Sequence, residues 1–362
     1  MKYFTRSFNH LNLVPVCASF LLSGCSQNDT KNSEKPNFLV ILADDISAVD
    51  FGCYGSKDYH TPNIDKLAET GALFNVCWST ALSMPSRMQM MSGRYATSTG
   101  WYGNDFKPMG NEIYHIPGDP GYSMTDELFF SKLFHSNGYK TAISGKWHVE
   151  DAPDWNTFKS DYGYDEFCLW GLPDTLPKGY EDYNFVKGAS GPYWDVGGRG
   201  PFWQPAININ GKLGPTGKDD FGPDFFTGFI NDFISRNQES PFLVYYPMTL
   251  AHSWWYNPVS EHTRWSAFGP VPELDSFGRK TGNKTPVGHK YAVEYMDHLI
   301  GKMVYHLDSL GLRKNTIIVF TADNGSPKKG KGSLHHENGV RVPLIVNCPA
   351  KFSPSRVKNS FA

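Results

Sequence analysis

Charge of one sign is what this chain most lacks. Its 34 Lys and Arg against 36 Asp and Glu leave a formal charge of −2 over 362 residues, and the isoelectric point lies near 6.6. There is no basic arm and no stretch that alternates basic with aromatic residues, which argues against nucleic acid as the main partner and points to a small substrate or a local anion. Cysteine is sparse, six residues in all, with no Cys-x-x-Cys pair. Four of them, Cys53, Cys77, Cys168 and Cys348, are scattered and allow three pairings, so disulfides and buried free thiols both stay open. No Gly-x-Ser-x-Gly elbow surrounds Ser83, so a hydrolase of the Ser-His-Asp type is unsupported. No internal repeat is present.

With 40% hydrophobic and 15% aromatic residues, the chain can bury one large core or two smaller ones. Lys2 and Arg6 precede an apolar run from Leu11 to Leu22 that is too short to span a bilayer, the physical form of an export signal. The following Leu22-Ser23-Gly24-Cys25 resembles a bacterial lipoprotein box. That implies a leader over residues 1–24, cleavage before Cys25 and attachment to a membrane through lipid on that thiol, with a periplasmic or cell-surface location; a cleaved soluble signal is the alternative. Residues 25–35 are polar and read as a flexible tether.

The folded part starts at Pro36. Asn37 to Ala43 is an apolar run of strand length, suited to a central parallel strand buried on both faces, and it ends in Asp44-Asp45. Thr61 to Gly71 reads as a short helix with a Thr cap, Pro at its first position and a closing Gly. Leu73 to Trp78 suggests a strand, Thr125 to Asn137 an amphipathic helix, and Tyr139 to Ser144 a strand leading to Gly145-Lys146-Trp147-His148. From 150 to 220 periodicity fades while Gly, Pro and aromatics dominate, among them Trp155, Trp170, Tyr180, Tyr183, Tyr193, Trp194, Phe202 and Trp203. Such a stretch reads either as substrate-facing loops, since sugar rings offer apolar faces, or as plain loop packing. Helix over Phe225 to Arg236, strand over Pro241 to Met248 near His252, helix over Tyr291 to Leu310 and strand over Thr316 to Ala322, ending in Asp323-Asn324, complete the pattern. Helices alternating with buried strands imply an α/β fold, a mostly parallel central sheet flanked by helices.

Three of these strands end in polar clusters, and ligand sites in open α/β sheets lie beyond the carboxyl ends of the strands. Asp44, Asp45 and Asp323 brought together would repel by roughly 4 kcal/mol per pair at moderate dielectric, so they call for a cation. With the Asn324 amide they form an all-oxygen set that suits Ca2+ or Mg2+ better than zinc. Taken singly, an Asp-Asp at a strand end is more often a loop or cap acid. Lys146, His148, His252 and Lys331 could supply cations and proton carriers, although a lone His or a lysine-rich run such as Lys328 to Lys331 is usually structural or solvated.

Ser83-Met84-Pro85-Ser86-Arg87, followed by Met88 to Met91 and Ser92-Gly93-Arg94, reads as a side chain at a helix N-terminus. There, unpaired N–H groups and the helix dipole favour an anion. An ordinary capped helix is the plainer reading of these residues taken alone.

The segment closely resembles the signature of the sulfatase family, which is Cys or Ser, any residue, Pro-Ser-Arg, then a short run to Thr-Gly or Ser-Gly. The likeness runs from about Pro36 to the end of the chain. It implies that Ser83 is oxidised after translation to formylglycine by a radical-type maturation enzyme. It further implies that Asp44, Asp45, Asp323 and Asn324 hold Ca2+ together with the Ser83 side chain, and that Arg87 and Lys146 position that group. His148 would assist its chemistry, and His252 and Lys331 would contact sulfate and the leaving oxygen. One hydroxyl of the hydrated aldehyde then attacks sulfur while a cationic His protonates the departing alcohol, and the second hydroxyl expels sulfate. The expected substrate is a sulfated mono- or oligosaccharide.

Two features depart from the family pattern. The stretch Lys331 to Glu337 carries one residue more than the usual spacing. The chain also stops at Ala362, where members normally continue into a small antiparallel C-terminal subdomain that closes part of the substrate pocket. A shortened member is therefore expected, poorly stable and weakly active if Ala362 is the true end. The alternatives are a phosphate-ester hydrolase with unmodified Ser83, as in the related alkaline phosphatase superfamily, and a non-catalytic sugar-binding remnant.

Overall fold

The apolar run Asn37–Ala43 forms the middle of the molecule because each of its faces meets a separate core. Leu39 and Ile41 point to one, where they pack with Ile230, Phe233, Met296, Leu299, Ile318 and Phe320. Val40 and Leu42 point to the other, with Met88, Met91, Ile143, Phe158, Phe167 and Tyr245. A strand covered on both sides needs no polar alternation, which is why the run is continuous.

The computed structural model describes residues 35–104, 125, 127–149, 153–171, 201–214, 216–217, 219–252 and 269–358. The leader, Cys25 and the tether up to residue 34 lie outside them. In chain order the elements are β1 (Asn37–Ala43), α1 (Pro62–Glu69), β2 (Ala72–Phe74), α2 (Ser83–Ser92), α3 (Ala96–Thr99), α4 (Phe130–Ser136), β3 (Lys140–Gly145), α5 (Phe158–Tyr162), β4 (Glu166–Trp170), β5 (Ile207–Ile209), β6 (Lys212–Gly214), α6 (Gly222–Arg236), β7 (Phe242–Pro247), β8 (Pro272–Leu274), β9 (Lys280–Lys284), α7 (His289–Ser309), β10 (Thr316–Ala322), α8 (Glu337–Val340), β11 (Leu344–Asn347) and β12 (Ser355–Val357).

Ten strands make one sheet in the order β12-β2-β11-β10-β1-β7-β3-β4-β5-β6, and β8 and β9 form a separate hairpin. The five central strands β10-β1-β7-β3-β4 are all parallel. Antiparallel pairings are confined to the flanks, at β10-β11, β11-β2, β4-β5 and β5-β6. The mixed flanks aside, this is the expected α/β sheet. Its register sets Ala43 opposite Ala322 and Leu42 opposite Pro247, so the residues that follow these strands emerge side by side.

Several sequence expectations are corrected. The strand expected over Leu73 to Trp78 is only Ala72–Phe74, and Trp78 makes just an isolated bridge to Arg341. The helix expected over Thr125 to Asn137 is limited to Phe130–Ser136; Phe129 is buried but Leu128 is 59% exposed, so the spacing does not define one buried face. The region 150–220 is not loop throughout, since it contains α5, β4, β5 and β6. Trp170 and Phe202 are core residues there, not substrate-facing ones. Tyr180, Tyr183, Tyr193 and Trp194 lie outside the described residues. Cys53, Cys77, Cys168 and Cys348 are all free thiols.

Helix α1 is capped in an unexpected way. The Thr61 hydroxyl accepts a hydrogen bond from the Gly52 N–H and donates to Asp65 Oδ1 instead of capping the helix. The first-turn amides of Asn63 and Ile64 donate to Asp297 of α7, at 3.2 and 2.8 Å. Burial pushes the Asp297 carboxyl up to about 6 despite these donors. The folded value thus lies above the unfolded one of about 3.9, so in this window the native state holds a proton that the unfolded chain has lost, and stability from this group falls as pH rises. The unfolding free energy of the wild type, relative to Asp297→Asn, is expected to drop by about 1.4 kcal/mol for each pH unit between those two values. Urea titrations at pH 4, 5 and 7 read the gap, and a gap that stays flat contradicts the assignment.

Candidate active site

Four neighbouring parallel strands deliver the polar residues. Asp44 and Asp45 follow β1, Asp323 and Asn324 follow β10, Lys146 and His148 follow β3, and His252 lies beyond β7. Gly145 makes the exit from β3 possible: its φ is +127°, and a Cβ there would sit 2.1 Å from the Pro247 carbonyl oxygen. The same oxygen accepts the Lys146 N–H at 2.7 Å, which fixes the direction of the next side chain. Ser83 enters from one face as the first residue of α2. That helix is anchored by Met88 and Met91 in the core and ends at Gly93 in the left-handed conformation.

Asp44, Asp45, Ser83, Arg87, Lys146, Asp323 and Asn324 are all buried. Ser83 Oγ donates to Asn324 Oδ1 at 3.0 Å, and Asn324 Nδ2 donates to Asp45 Oδ1 at 2.8 Å. Asp323 Oδ1 accepts the N–H groups of Asp45 and Asn324, at 3.0 and 2.8 Å. Arg87 directs Nη2 to Asp323 Oδ2 at 2.8 Å and to Asp44 Oδ1 at 3.3 Å. Lys146 Nζ lies 2.8 Å from Asp44 Oδ2, Lys331 Nζ 2.5 Å from Asp45 Oδ2 and His252 Nε2 3.4 Å from the same oxygen. Three carboxylates therefore meet three side-chain cations, with the imidazoles beside them.

The electrostatics follow from burial and neighbours. Burial alone would raise Asp44 and Asp45, but the surrounding positive groups, led by Lys146 at the first and by Lys331 at the second, together outweigh it, so both carboxyls are held below the ordinary range. Asp323 is raised by burial and by the nearby Asp44 charge. Burial lowers Lys146 in spite of Asp44. At Lys331 burial works in the same direction, but Asp45, Asp44 and Asp323 together prevail, so its ammonium is stabilised. Burial lowers His252, and lowers His148 strongly with help from the Lys146 charge, which favours neutral rings.

The donor set fits a hard divalent cation. Asp44, Asp45 and His252 present ligand atoms all within 4.8 Å of one another, and Asp44 Oδ1 is buried without a hydrogen-bond partner among the described residues. The Asn324 amide oxygen, on the Ser83 side, adds a neutral oxygen. The oxygens of Asp323 already serve Arg87 and two amides, so it could ligate only through a remaining lone pair.

Two neighbours escaped sequence reasoning. Asn104 Oδ1 accepts the Met84 N–H at 3.0 Å, occupying one of the amides at the start of α2. Tyr245, hidden in an apolar strand, buries its hydroxyl near Arg87. Neither carried a local signal, because one is a lone amide after a short helix and the other an ordinary strand aromatic.

Comparison with known proteins points to one family. The sulfatase family model matches residues 36–362. An N-acetylgalactosamine-6-O-sulfatase of Bacteroides thetaiotaomicron is 30% identical over 97% of this chain and 75% of its own length. Human arylsulfatase A is 26% identical over 88% of this chain and 60% of its own. Among solved structures, Ps i-CgsB in complex with k-i-k-neocarrahexaose is similar at 25% identity and a TM-score of 0.61, covering 90% of this chain and 69% of that one. The chain thus spans about three quarters to three fifths of the length of these curated relatives.

Arg87 provides the sharpest test of the charge balance. Arg87→Met leaves Asp323 without its paired cation and Asp44 with Lys146 alone, and is expected to destabilise the fold by about 3–5 kcal/mol. Asp323→Asn added to that variant should recover part of the loss. Equilibrium denaturation reads both, and an Arg87→Met protein as stable as the wild type would contradict the account.

Proposed function

This chain belongs to the sulfatase family, and on that premise we propose that it hydrolyses sulfate esters of sugars at the cluster around Ser83. One observation carries the reading: the Ser83 hydroxyl, at the N-terminus of α2, is hydrogen-bonded to Asn324 beside three buried carboxylates, which meet two buried cations and the partly exposed Lys331. The names of the relatives support a sulfated carbohydrate as substrate. We assign Ser83 as the residue oxidised to formylglycine by a radical-type maturation enzyme, and Asp44, Asp45, Asp323 and Asn324 as holders of Ca2+ or Mg2+. When present, the ion supplies Lewis acidity beside the Ser83 side chain and the hydrated aldehyde supplies the nucleophilic oxygen.

The remaining work falls to the chain itself. Arg87 and Lys146 keep the carboxylates ionised and in place. Lys331, partly exposed above Asp45, meets the sulfate oxygens. His252, neutral at rest, takes up a proton beside Asp45 and passes it to the departing alcohol, and His148, also held neutral, accepts one. A phosphatase using two zinc ions would want more imidazole ligands, and among the described residues only His252 joins the close acidic group.

Protein made with the maturation enzyme should hydrolyse members of a panel of defined sulfated mono- and oligosaccharides, and Ser83→Ala should not. Intact-mass analysis of the Ser83 peptide should show the loss of two hydrogens; turnover by a peptide of unchanged mass would favour the unmodified serine. A divalent cation at about 100 times its dissociation constant should raise stability by about 2.7 kcal/mol, read as a thermal shift that chelation reverses. Export and tethering through Cys25 belong to the same proposal. Cys25→Ala should move the protein from the detergent-extracted to the soluble fraction, and an unchanged distribution would reject the anchor.

A further inference from the structure

Lys331 reaches Asp45 from a loop of its own, and the structure shows what holds that loop. The segment after β1 and the segment after β10 are fastened together by two buried side chains, Ser47 and Asp50. Ser47 Oγ accepts the Ser326 N–H at 2.9 Å and donates to the Asn338 carbonyl at 2.5 Å, so one hydroxyl ties both ends of the stretch carrying Lys331. Asp50 Oδ2 accepts the Ser47 N–H at 3.0 Å, and Asp50 Oδ1 accepts Lys329 Nζ at 2.5 Å. From there the backbone is short: the N–H groups of Lys329 and Lys331 both donate to the Ser326 carbonyl, and the Gly332 N–H donates to the Ala81 carbonyl, next but one to Ser83. The Asp50 carboxylate is wholly buried while Lys329 is 28% exposed.

We propose that Asp50 is a positioning residue for Lys331. Through its ion pair with Lys329 and its hold on Ser47, it sets the height of the loop, so that the Lys331 ammonium lands on Asp45 and beside Ser83. Asp50 touches neither the carboxylate cluster nor Ser83. The free carboxylate charge is what matters: without it Lys329 has no buried partner, the turn after Ser326 loses its ionic fastening, and Lys331 is free to move into solvent. The cation–π approach of Lys329 to the Tyr59 ring, 5.5 Å to its centre, offers only a weaker hold.

This inference rests on the functional reading only for its kinetic arm, so the test has two readouts. The first needs no substrate: competitive acylation of the Lys331 amine, followed by peptide mass spectrometry. Asp50→Asn and Lys329→Met should raise Lys331 reactivity several-fold, and Lys329→Arg should leave it at the wild-type level. The second is turnover of a sulfate ester. Asp50→Asn should lower kcat/KM by up to about 100-fold, the scale of a misplaced group. That loss should vanish in a Lys331→Ala background but persist in a His252→Ala background, since only residues acting through one another are non-additive. Lys329→Met covers the case in which Asp50→Asn fails to fold. Unchanged Lys331 reactivity in the variants, or full additivity with Lys331→Ala, would overturn the proposal. Raised reactivity in a protein that hydrolyses no sulfate ester would uphold the positioning role and reject the functional reading.

Discussion

Three buried carboxylates crowd together beyond the carboxyl ends of the central strands, and the rest of the site depends on how their charge is balanced. Asp44, Asp45 and Asp323 are fully buried, so solvent cannot screen their mutual repulsion and the fold must supply counter-charge from its own side chains. Arg87 bridges two of them, Lys146 takes Oδ2 of Asp44, and Lys331 takes Oδ2 of Asp45. The arrangement is fixed on the Arg87 side, where helix and strands are core-packed. It is adjustable on the Lys331 side, where the ammonium is partly exposed. On the function proposed above, this is the cation that an anionic ester arriving from solvent would meet first.

The central parallel sheet is what makes such crowding possible. Parallel strands all end at the same edge, and the register of β10, β1 and β7 places their following residues side by side. Both faces of β1 are sealed by apolar side chains, so the strand ends cannot shift to relieve the repulsion beyond them. Close packing thus holds in place a polar cluster that would otherwise spread apart. The N-terminus of α2 completes the site because Met88 and Met91 commit that helix to the same core.

The strands that build the site are the ones the sequence displays most openly. Asn37–Ala43 and Thr316–Ala322 have the bounds that their apolar runs suggest, since a strand buried on both faces has only one way to be written. The long helix α7 is equally open through its apolar spacing. Short elements are less so: β2, β5 and β6 have three residues each, too few for any periodicity to show. They are strands because a neighbour pairs with them. The cap on α1 is invisible for the same reason, its acceptor Asp297 lying 233 residues from Ile64.

Residue type and local order alone determined which side chains end the buried strands, that Ser83 starts a helix, and that acidic groups there would need positive charge nearby. Those properties belong to a few consecutive residues and to the chemistry of their side chains. Only the tertiary structure decided which cation meets which carboxylate, that Arg87 bridges two of them, and that Asp50 and Lys329, 279 residues apart, close on each other. Partners so distant are chosen by the sheet register and the packing of loops, and nothing in the intervening chain encodes that choice locally.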